Sequence, residues 1–436
     1  MNRIAERVNA LSPEQRAELE RRLGEKNARP PAPPDDAGPG AGAGRTETRP
    51  APVTPPDGAA RRAGAGVMDF SLFFFSGDGS GGARDKYRMV LECAKFADRH
   101  GFRAVWTPER HFQPFGGLYP NPAVLGAALA AVTERVEIRA GSVALPLHDP
   151  LRVAEEWSVV DNLSGGRVAV SFASGWHPAD FALAPDAYER RKELMFEGIE
   201  TVRRLWSGGA LKRRGAGGGE VEVRTLPRPV QRELPVWISI SRSAETWVRA
   251  GEIGAHVLTA IVKQPPEVLA ERIGLYREAR RRRGFDPRAG RVAAMLHTFV
   301  GEDEREVKEA VRAPLCRYFR ANLKQLEIQT DVCAGGEAGA AAARPAVEAD
   351  RLTEDDVESI AEHAFERYYD TSLLCGTPPK CARLVERLAE AGVDEVACLV
   401  DFGPSFEQVM ESLRHLGRLR QQFGPAATPA ASSQTR

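Results

Sequence analysis

The sequence predicts a (β/α)8 barrel with insertions, on three observations. From Met68 onward, short apolar runs of strand length alternate strictly with longer stretches of helical periodicity. Such alternation implies a parallel sheet with helical crossovers. Eight strands can be counted, each followed by a helix, within about 360 residues, the size of a barrel with insertions. An open doubly wound sheet is the alternative. In a barrel the loops that follow the strands' C-terminal ends carry the chemistry, so those loops are where functional residues are sought.

Met68–Phe75 reads as a strand buried on both faces, and Lys86–His100 as a helix whose apolar face includes Val90, Leu91, Ala94 and Phe96. Strand Phe102–Trp106, helix Ala123–Thr133 and strand Val136–Val143 follow. A helix after Pro150 runs to Leu163, then strand Arg167–Ala173 and the long helix Tyr188–Trp206. A glycine-rich hairpin spans Gly208 to Leu226. Strand Val236–Ile240 leads into helix Ser243–Glu252, His256–Ala260 into Pro266–Arg283, and Val292–Val300 into Asp303–Leu326. Residues 331–350, rich in Ala and Gly, read as a loose insertion before helix Thr353–Tyr369. Segment 314–370 as a whole reads as a lid or a homodimer contact. Pro379–Ala391, Glu395–Val400 and Phe406–Phe423 close the domain as helix, strand and helix. The domain is thus expected over 68–424, with a disordered tail over 425–436.

Upstream, Ile4, Val8, Leu11, Leu19 and Leu23 recur at helical spacing. Ser12-Pro13-Glu14-Gln15 reads as an N-cap, a first-turn proline and a capping-box partner. Residues 1–26 therefore read as a short amphipathic helical segment, either a frayed end or a docking element for a partner. Residues 27–67 are dominated by Pro, Ala, Gly and charge and read as a disordered tether, because so few apolar groups cannot offset chain entropy.

Composition excludes several classes. Lys+Arg and Asp+Glu both number 60, which argues against a general nucleic-acid binder. No apolar run approaches the ~20 residues of a membrane span, and the N-terminus lacks a signal-peptide core. The six cysteines show no CxxC spacing, so free thiols in a reducing cytoplasm are expected rather than disulfides or a metal site.

The strand-end loops hold the candidate chemistry. After the first strand, Gly77-Asp78-Gly79-Ser80-Gly81-Gly82 matches G-x-G-x-x-G, with Glu109 near the end of the second strand. This is either a nicotinamide-binding turn or a glycine-saturated loop over the mouth. After the second strand, Glu109, Arg110 and His111 form an ionisable cluster suited to acid–base work, or a salt-bridged loop. Gly141 and Ser142 are small enough to let a flat ligand approach the backbone, or are ordinary barrel packing. Ser174, Gly175 and Trp176 suit an aromatic ligand lying on backbone, or a Trp plug. Ser241, Arg242 and Ser243 stand at a helix N-terminus and suit phosphate, while Ser243 alone suffices as an N-cap.

Together these pieces resemble the bacterial luciferase-like flavin monooxygenases. The resemblance rests on Glu109-Arg110-His111-Phe112, Phe115-Gly116, Asn121-Pro122, the run Leu145–Glu156, the run Asp161–Arg167, and Ser174-Gly175. The Asp161–Arg167 run marks the family but lies on the structural face of the barrel. The runs Thr107–Phe112 and Ser174–Pro178 are most like the luciferase-like domains of nonribosomal peptide and polyketide assembly lines, as is Leu11–Arg16 with its tether.

The resemblance implies reduced FMN at the barrel mouth, O2 as co-substrate, and a separate flavin reductase. It implies Ser241, Arg242 and Ser243 at the phosphate and Ser174, Gly175 and Trp176 near the ribityl or phosphate end. It also implies a non-proline cis peptide at Gly141-Ser142 beneath the flavin, and His111 near its reactive edge. The expected activity is monooxygenation of a small or carrier-tethered acyl or aminoacyl substrate, by hydroxylation or Baeyer–Villiger insertion, in natural-product biosynthesis. A synthase partner would bind through residues 1–26. One departure is visible: luciferase has a His-His pair after the Glu, and here the first position is Arg110. A guanidinium is no general base near neutral pH. Acid–base work then falls to His111 or Glu109, or Arg110 stabilises a developing anion, and light emission is not expected. The rivals are a deazaflavin-dependent oxidoreductase on the same barrel, a nicotinamide dehydrogenase, and a non-catalytic docking module.

Overall fold

The structure is a computed structural model; it describes residues 68–75, 85–113, 117–241, 243–261, 266–332 and 354–424, apart from the side chains of 321–332 and 356. The expected segments 1–26, 27–67 and 425–436, the Gly77–Gly82 loop, Arg242 and most of the 331–350 insertion lie outside the described residues.

Eight parallel strands close into a barrel. In chain order these are β1 (Asp69–Phe73), β2 (Ala104–Thr107), β3 (Glu137–Ala144), β4 (Val168–Ala173), β7 (Val236–Ile240), β8 (His256–Ala260), β9 (Val292–Val300) and β11 (Glu395–Leu399). β5 (Leu211–Arg214) and β6 (Glu220–Val223) are the expected hairpin, an antiparallel pair outside the barrel sheet. Closure comes through β8 on β9, β9 on β11, and β11 on β1. The helices are α1 (Arg88–Arg99), α2 (Pro122–Ala130), α3 (Pro150–Ser164), α4 (Arg191–Trp206), α5 (Ala244–Glu252), α6 (Pro266–Arg282), α7 (Glu304–Val332), α8 (Glu354–Thr371), α9 (Pro378–Glu390) and α10 (Phe406–Phe423).

Local sequence explains where the helices begin. Asn121 accepts from the N–H groups of Ala123 and Val124 ahead of Pro122, and Asp149 accepts from Leu151 ahead of Pro150. Ser405 and Gln408 form a complete capping box on α10. α3 ends at Gly165 with φ +67°, a left-handed stop that glycine adopts without strain.

Two features depart from the expected elements. The helix expected to end at Leu326 continues to Val332. A short strand, β10 (Leu374–Gly376), pairs with Thr298–Val300 at the far end of β9. Three residues are too few to show a period, and only pairing with the end of the long β9 creates this strand. α7 and α8 pack through their own apolar cluster, in which Val311, Leu315 and Phe319 meet Ala361, Phe365 and Tyr369.

The barrel interior is layered. Phe73, Trp106, Ala169, Trp237, Leu258, Ala293, Ala397 and Leu399 form an apolar layer. Near the strands' N-terminal ends lies a polar one. The Glu395 carboxylate, wholly buried, accepts from Arg139 at 2.8 and 3.0 Å, from Ser71 Oγ at 2.6 Å and from Arg291 at 3.2 Å. Arg139 also pairs with Glu137 at 2.7 Å, and its guanidinium lies 4.8 and 4.7 Å from the Trp106 and Trp237 rings. Burial pushes the Glu395 carboxyl up, but the charges of Arg139 and Arg291 outweigh it and hold it down to about 2. Because its folded pKa is depressed, the stability Glu395 contributes is present above about pH 4.5 and is lost as pH falls toward 2.

Arg139→Met leaves the Glu395 charge buried with fewer partners and should cost about 3–5 kcal/mol. Urea denaturation at neutral pH tests this; a loss below about 1 kcal/mol would show the pair to be incidental.

Candidate active site

The loop after β2 places Glu109, Arg110 and His111 at the C-terminal end of the barrel. Glu109 is the pivot, with its side chain 1% exposed. Its Oε1 receives Nε2 of His111 at 2.9 Å and Nε2 of His148 at 2.5 Å. Its Oε2 accepts from the Ala144 N–H at 2.7 Å. One carboxylate therefore ties the end of β2 to the end of β3. Burial alone would raise the Glu109 pKa; the hydrogen bonds from His111, His148 and Ala144 win and hold it below the usual carboxylate range. Burial pulls the His148 pKa down, yet its hydrogen bond and ion pair with Glu109 leave it raised.

Arg110 is also buried, with its guanidinium 5.2 Å from the Phe75 ring and 4.7 Å from that of Trp176. Burial lowers its pKa despite the nearby Asp180, and a guanidinium stays charged at neutral pH even so. Asp180, raised by burial, lies 3.7 Å from Nδ1 of His177, which burial lowers.

The peptide Gly141-Ser142 is cis. A Cβ on Gly141 would sit 2.8 Å from the Phe73 ring and 3.1 Å from Trp106 Cβ, so glycine is required there. Ser142 is half-buried and hydrogen-bonds Ser239 of β7, which also meets Ser171 of β4 at 3.0 Å. Three hydroxyls from three strands thus form a polar patch beside the glycine. Gly175 has φ +75°, and a Cβ there would strike Phe181 at 2.8 Å, so the half-buried Ser174-Gly175-Trp176 turn is specific to glycine. Ser243 accepts from Thr246 N at 3.3 Å and is the N-cap of α5, as the plainer reading of that loop has it, while Ser241 is exposed beside it.

The structure brings Glu109, Arg110 and Trp176 into one cluster with His111, and Gly141 and Ser142 into a second patch with Ser239. Sequence reading missed several neighbours. His148 was visible only as part of a family run, and Ser171 and Ser239 only as inward positions on strands. His297 of β9 gave no signal at all. It is wholly buried between Tyr318 at 4.4 Å and Phe402 at 5.3 Å, ring to ring. Neither of its ring nitrogens has a hydrogen-bond partner among the described residues, and burial drops its pKa to about 3. Ala293 and Met295, two and four positions earlier, belong to the barrel's interior layer, so His297 faces inward as well.

Among the described residues no helix is long and apolar enough to cross a membrane, and no cluster of His, Cys, Asp and Glu could hold a metal ion. The five described cysteines are free and buried.

A sequence model of the family described as luciferase-like monooxygenase matches residues 68–395. The oxygenase component of a flavin-dependent trigonelline monooxygenase from Acinetobacter baylyi is 25% identical over 358 residues, covering 80% of this chain and 93% of that protein. Among solved structures, the oxygenating constituent of 3,6-diketocamphane monooxygenase from Pseudomonas putida, in complex with FMN, superposes with a TM-score of 0.63 at 18% identity, over 83% of this chain and 98% of that one. An F420-dependent secondary alcohol dehydrogenase shares the fold with a TM-score of 0.57 at 18% identity, over 80% and 97%.

His297→Leu removes an imidazole buried without a partner, whose burial costs about 1–3 kcal/mol. The variant should shift the urea midpoint upward; an unchanged or lowered midpoint would show that the imidazole's polarity contributes to the fold.

Proposed function

The chain belongs to the luciferase-like monooxygenase family, and from that premise we propose that it is the FMN-dependent oxygenase of a two-component system, working on reduced flavin delivered by a separate reductase. The carrying observation is the meeting, at the C-terminal end of one barrel, of a Glu109–His111 pair, the aromatic-flanked Arg110, and the patch of Gly141, Ser142 and Ser239. The family's relatives support flavin, and the oxygenase-component name of the Acinetobacter baylyi protein supports the separate reductase.

The residues fit such a group. Gly141 lets the cis peptide pack directly on Phe73 and Trp106, and the Ser142 and Ser239 hydroxyls beside it can hydrogen-bond a polar ring edge. Ser241, Arg242 and Ser243 at the start of α5 would hold the phosphate, with the helix N-terminus adding partial positive charge. Ser174, Gly175 and Trp176 would line the ribityl chain. When bound, reduced flavin with O2 supplies the oxygen atom that enters the substrate. Arg110 presents a fixed positive charge, desolvated between Phe75 and Trp176, to anionic character developing beside it. His111 carries the proton traffic, its ring held by Glu109.

For substrate, we assign an acyl or aminoacyl chain tethered to a carrier protein, in natural-product assembly. The support is the likeness of Thr107–Phe112 and Ser174–Pro178 to assembly-line domains.

Anaerobic titration tests the cofactor. Wild type should bind reduced FMN, and Ser241→Asp/Ser243→Asp should weaken binding at least about tenfold, because carboxylates repel phosphate at that seat. With reduced FMN and 18O2, label should enter an acylated carrier protein. Binding of F420 in place of FMN would replace this reading with hydride transfer; binding of neither would leave a non-catalytic barrel.

A further inference from the structure

Glu109 gives two imidazoles one acceptor atom. Nε2 of His111 and Nε2 of His148 both meet Oε1, at 2.9 and 2.5 Å, while Oε2 is taken by the Ala144 N–H. An ionised carboxylate only accepts, so at each contact the imidazole nitrogen carries the hydrogen. For His111 this puts the proton on Nε2 and makes Nδ1 the lone-pair nitrogen of the neutral ring. Only His148 of the two is drawn from outside the loop that holds Glu109; it follows the 3-10 turn Leu145–Leu147 after β3. Its side chain is 28% exposed, against 9% for His111. His148 is thus the member of the trio most open to solvent protons.

We propose that His148 is a positioning residue for His111: it shares Oε1 of Glu109, the acceptor that fixes the tautomer of His111, and its own charge sets how firmly Glu109 holds that ring. The proposal rests on the reading of His111 as the proton-transfer group. Both donors draw on the charge of the same oxygen. While His148 is a cation it neutralises much of the Glu109 charge; once it is neutral, the full carboxylate charge falls on the Nε2–H of His111. The pH at which His148 loses its proton therefore becomes a property of the mouth. The direction of its shift places that step above the ordinary histidine value of 6.5. With the folded value raised, the stability from the His148–Glu109 ion pair is complete below about 6.5 and is lost as pH rises through the folded midpoint.

Other charges face this trio. Glu156 of α3 acts on His148, and Asp149, next to His148, is paired with Arg213 of β5. Asp180, with His177 and Arg110 beside it, acts across from His111 and Glu109. The test must therefore separate His148 from these neighbours.

The full chain, labelled with 15N-histidine, is followed by long-range proton–nitrogen NMR from about pH 5 to about pH 9, the range in which histidines titrate. His111→Gln and His148→Gln assign the two rings. In wild type, His111 should show the Nε2–H tautomer, and its Nε2 resonance should pass through an inflection at the His148 midpoint. In His148→Gln, which keeps a donor but no charge, the tautomer should persist and that inflection should vanish. A proton on Nδ1 of His111 in wild type would overturn the proposal. So would an inflection whose midpoint and size are the same in His148→Gln as in wild type, because it would owe nothing to His148. Should His148→Gln fail to fold, the wild-type tautomer and the match of the two midpoints decide the matter alone. Turnover of His111→Gln with reduced FMN at the wild-type rate would remove His111 from the reaction, and with it the positioning role, while leaving FMN binding and the NMR coupling as separate results.

Discussion

Four strands of the barrel meet through one buried carboxylate. Glu395 enters from β11 and is met by Arg139 of β3, Ser71 of β1 and Arg291 at the foot of β9, while Trp106 of β2 donates its indole N–H to the same Ser71 at 2.8 Å. A charge taken out of water must find its partners within the protein, and those partners must arrive in one geometry. The pair therefore constrains the relative register of strands far apart in sequence. With that register fixed, the inward residues above stack as an apolar layer, and the strands' C-terminal ends reach the height at which their loops meet.

A second carboxylate organises the upper end as Glu395 organises the lower. Glu109 joins the ends of β2 and β3 through Ala144 and two histidines. Asp401, just past β11, joins the end of β1 to the loop between β2 and α2 by accepting from Phe75 N at 2.8 Å and Tyr119 Oη at 3.0 Å. The lower network is sealed, with Arg139 and Glu395 at most 1% exposed. The upper one leaves His148 partly open. Buried charges that are satisfied hold a fold together; those at a barrel mouth with a solvent-facing partner can also exchange protons.

Much of the barrel was legible because strand burial and helix periodicity are local. The run Met68–Phe75 reads as a buried strand from its composition, and Asn121-Pro122 and Asp149-Pro150 announce helix starts within two residues. Glu109, Arg110, His111, Gly141, Ser142 and Trp176 were legible as candidates because barrel geometry says which ends to inspect. The tie between His148 and Glu109 spans 39 positions, and Ser142 and Ser239 lie 97 apart. No local pattern encodes such pairs. β10 was illegible for a related reason, since three residues acquire a strand's conformation only from the edge they pair with.

The sequence by itself determined the alternation of strand and helix, the caps, the glycines at forced turns, and the family. These depend on residues within a turn or two of one another, where backbone sterics and hydrogen-bond geometry leave few choices. Tertiary structure alone decided that one oxygen of Glu109 would serve two histidines, that His297 would be buried without a hydrogen-bond partner among the described residues, and that Arg110 would lie between two aromatic rings. Such outcomes depend on desolvation and on distances between side chains from different strands, and those are set only when the barrel closes.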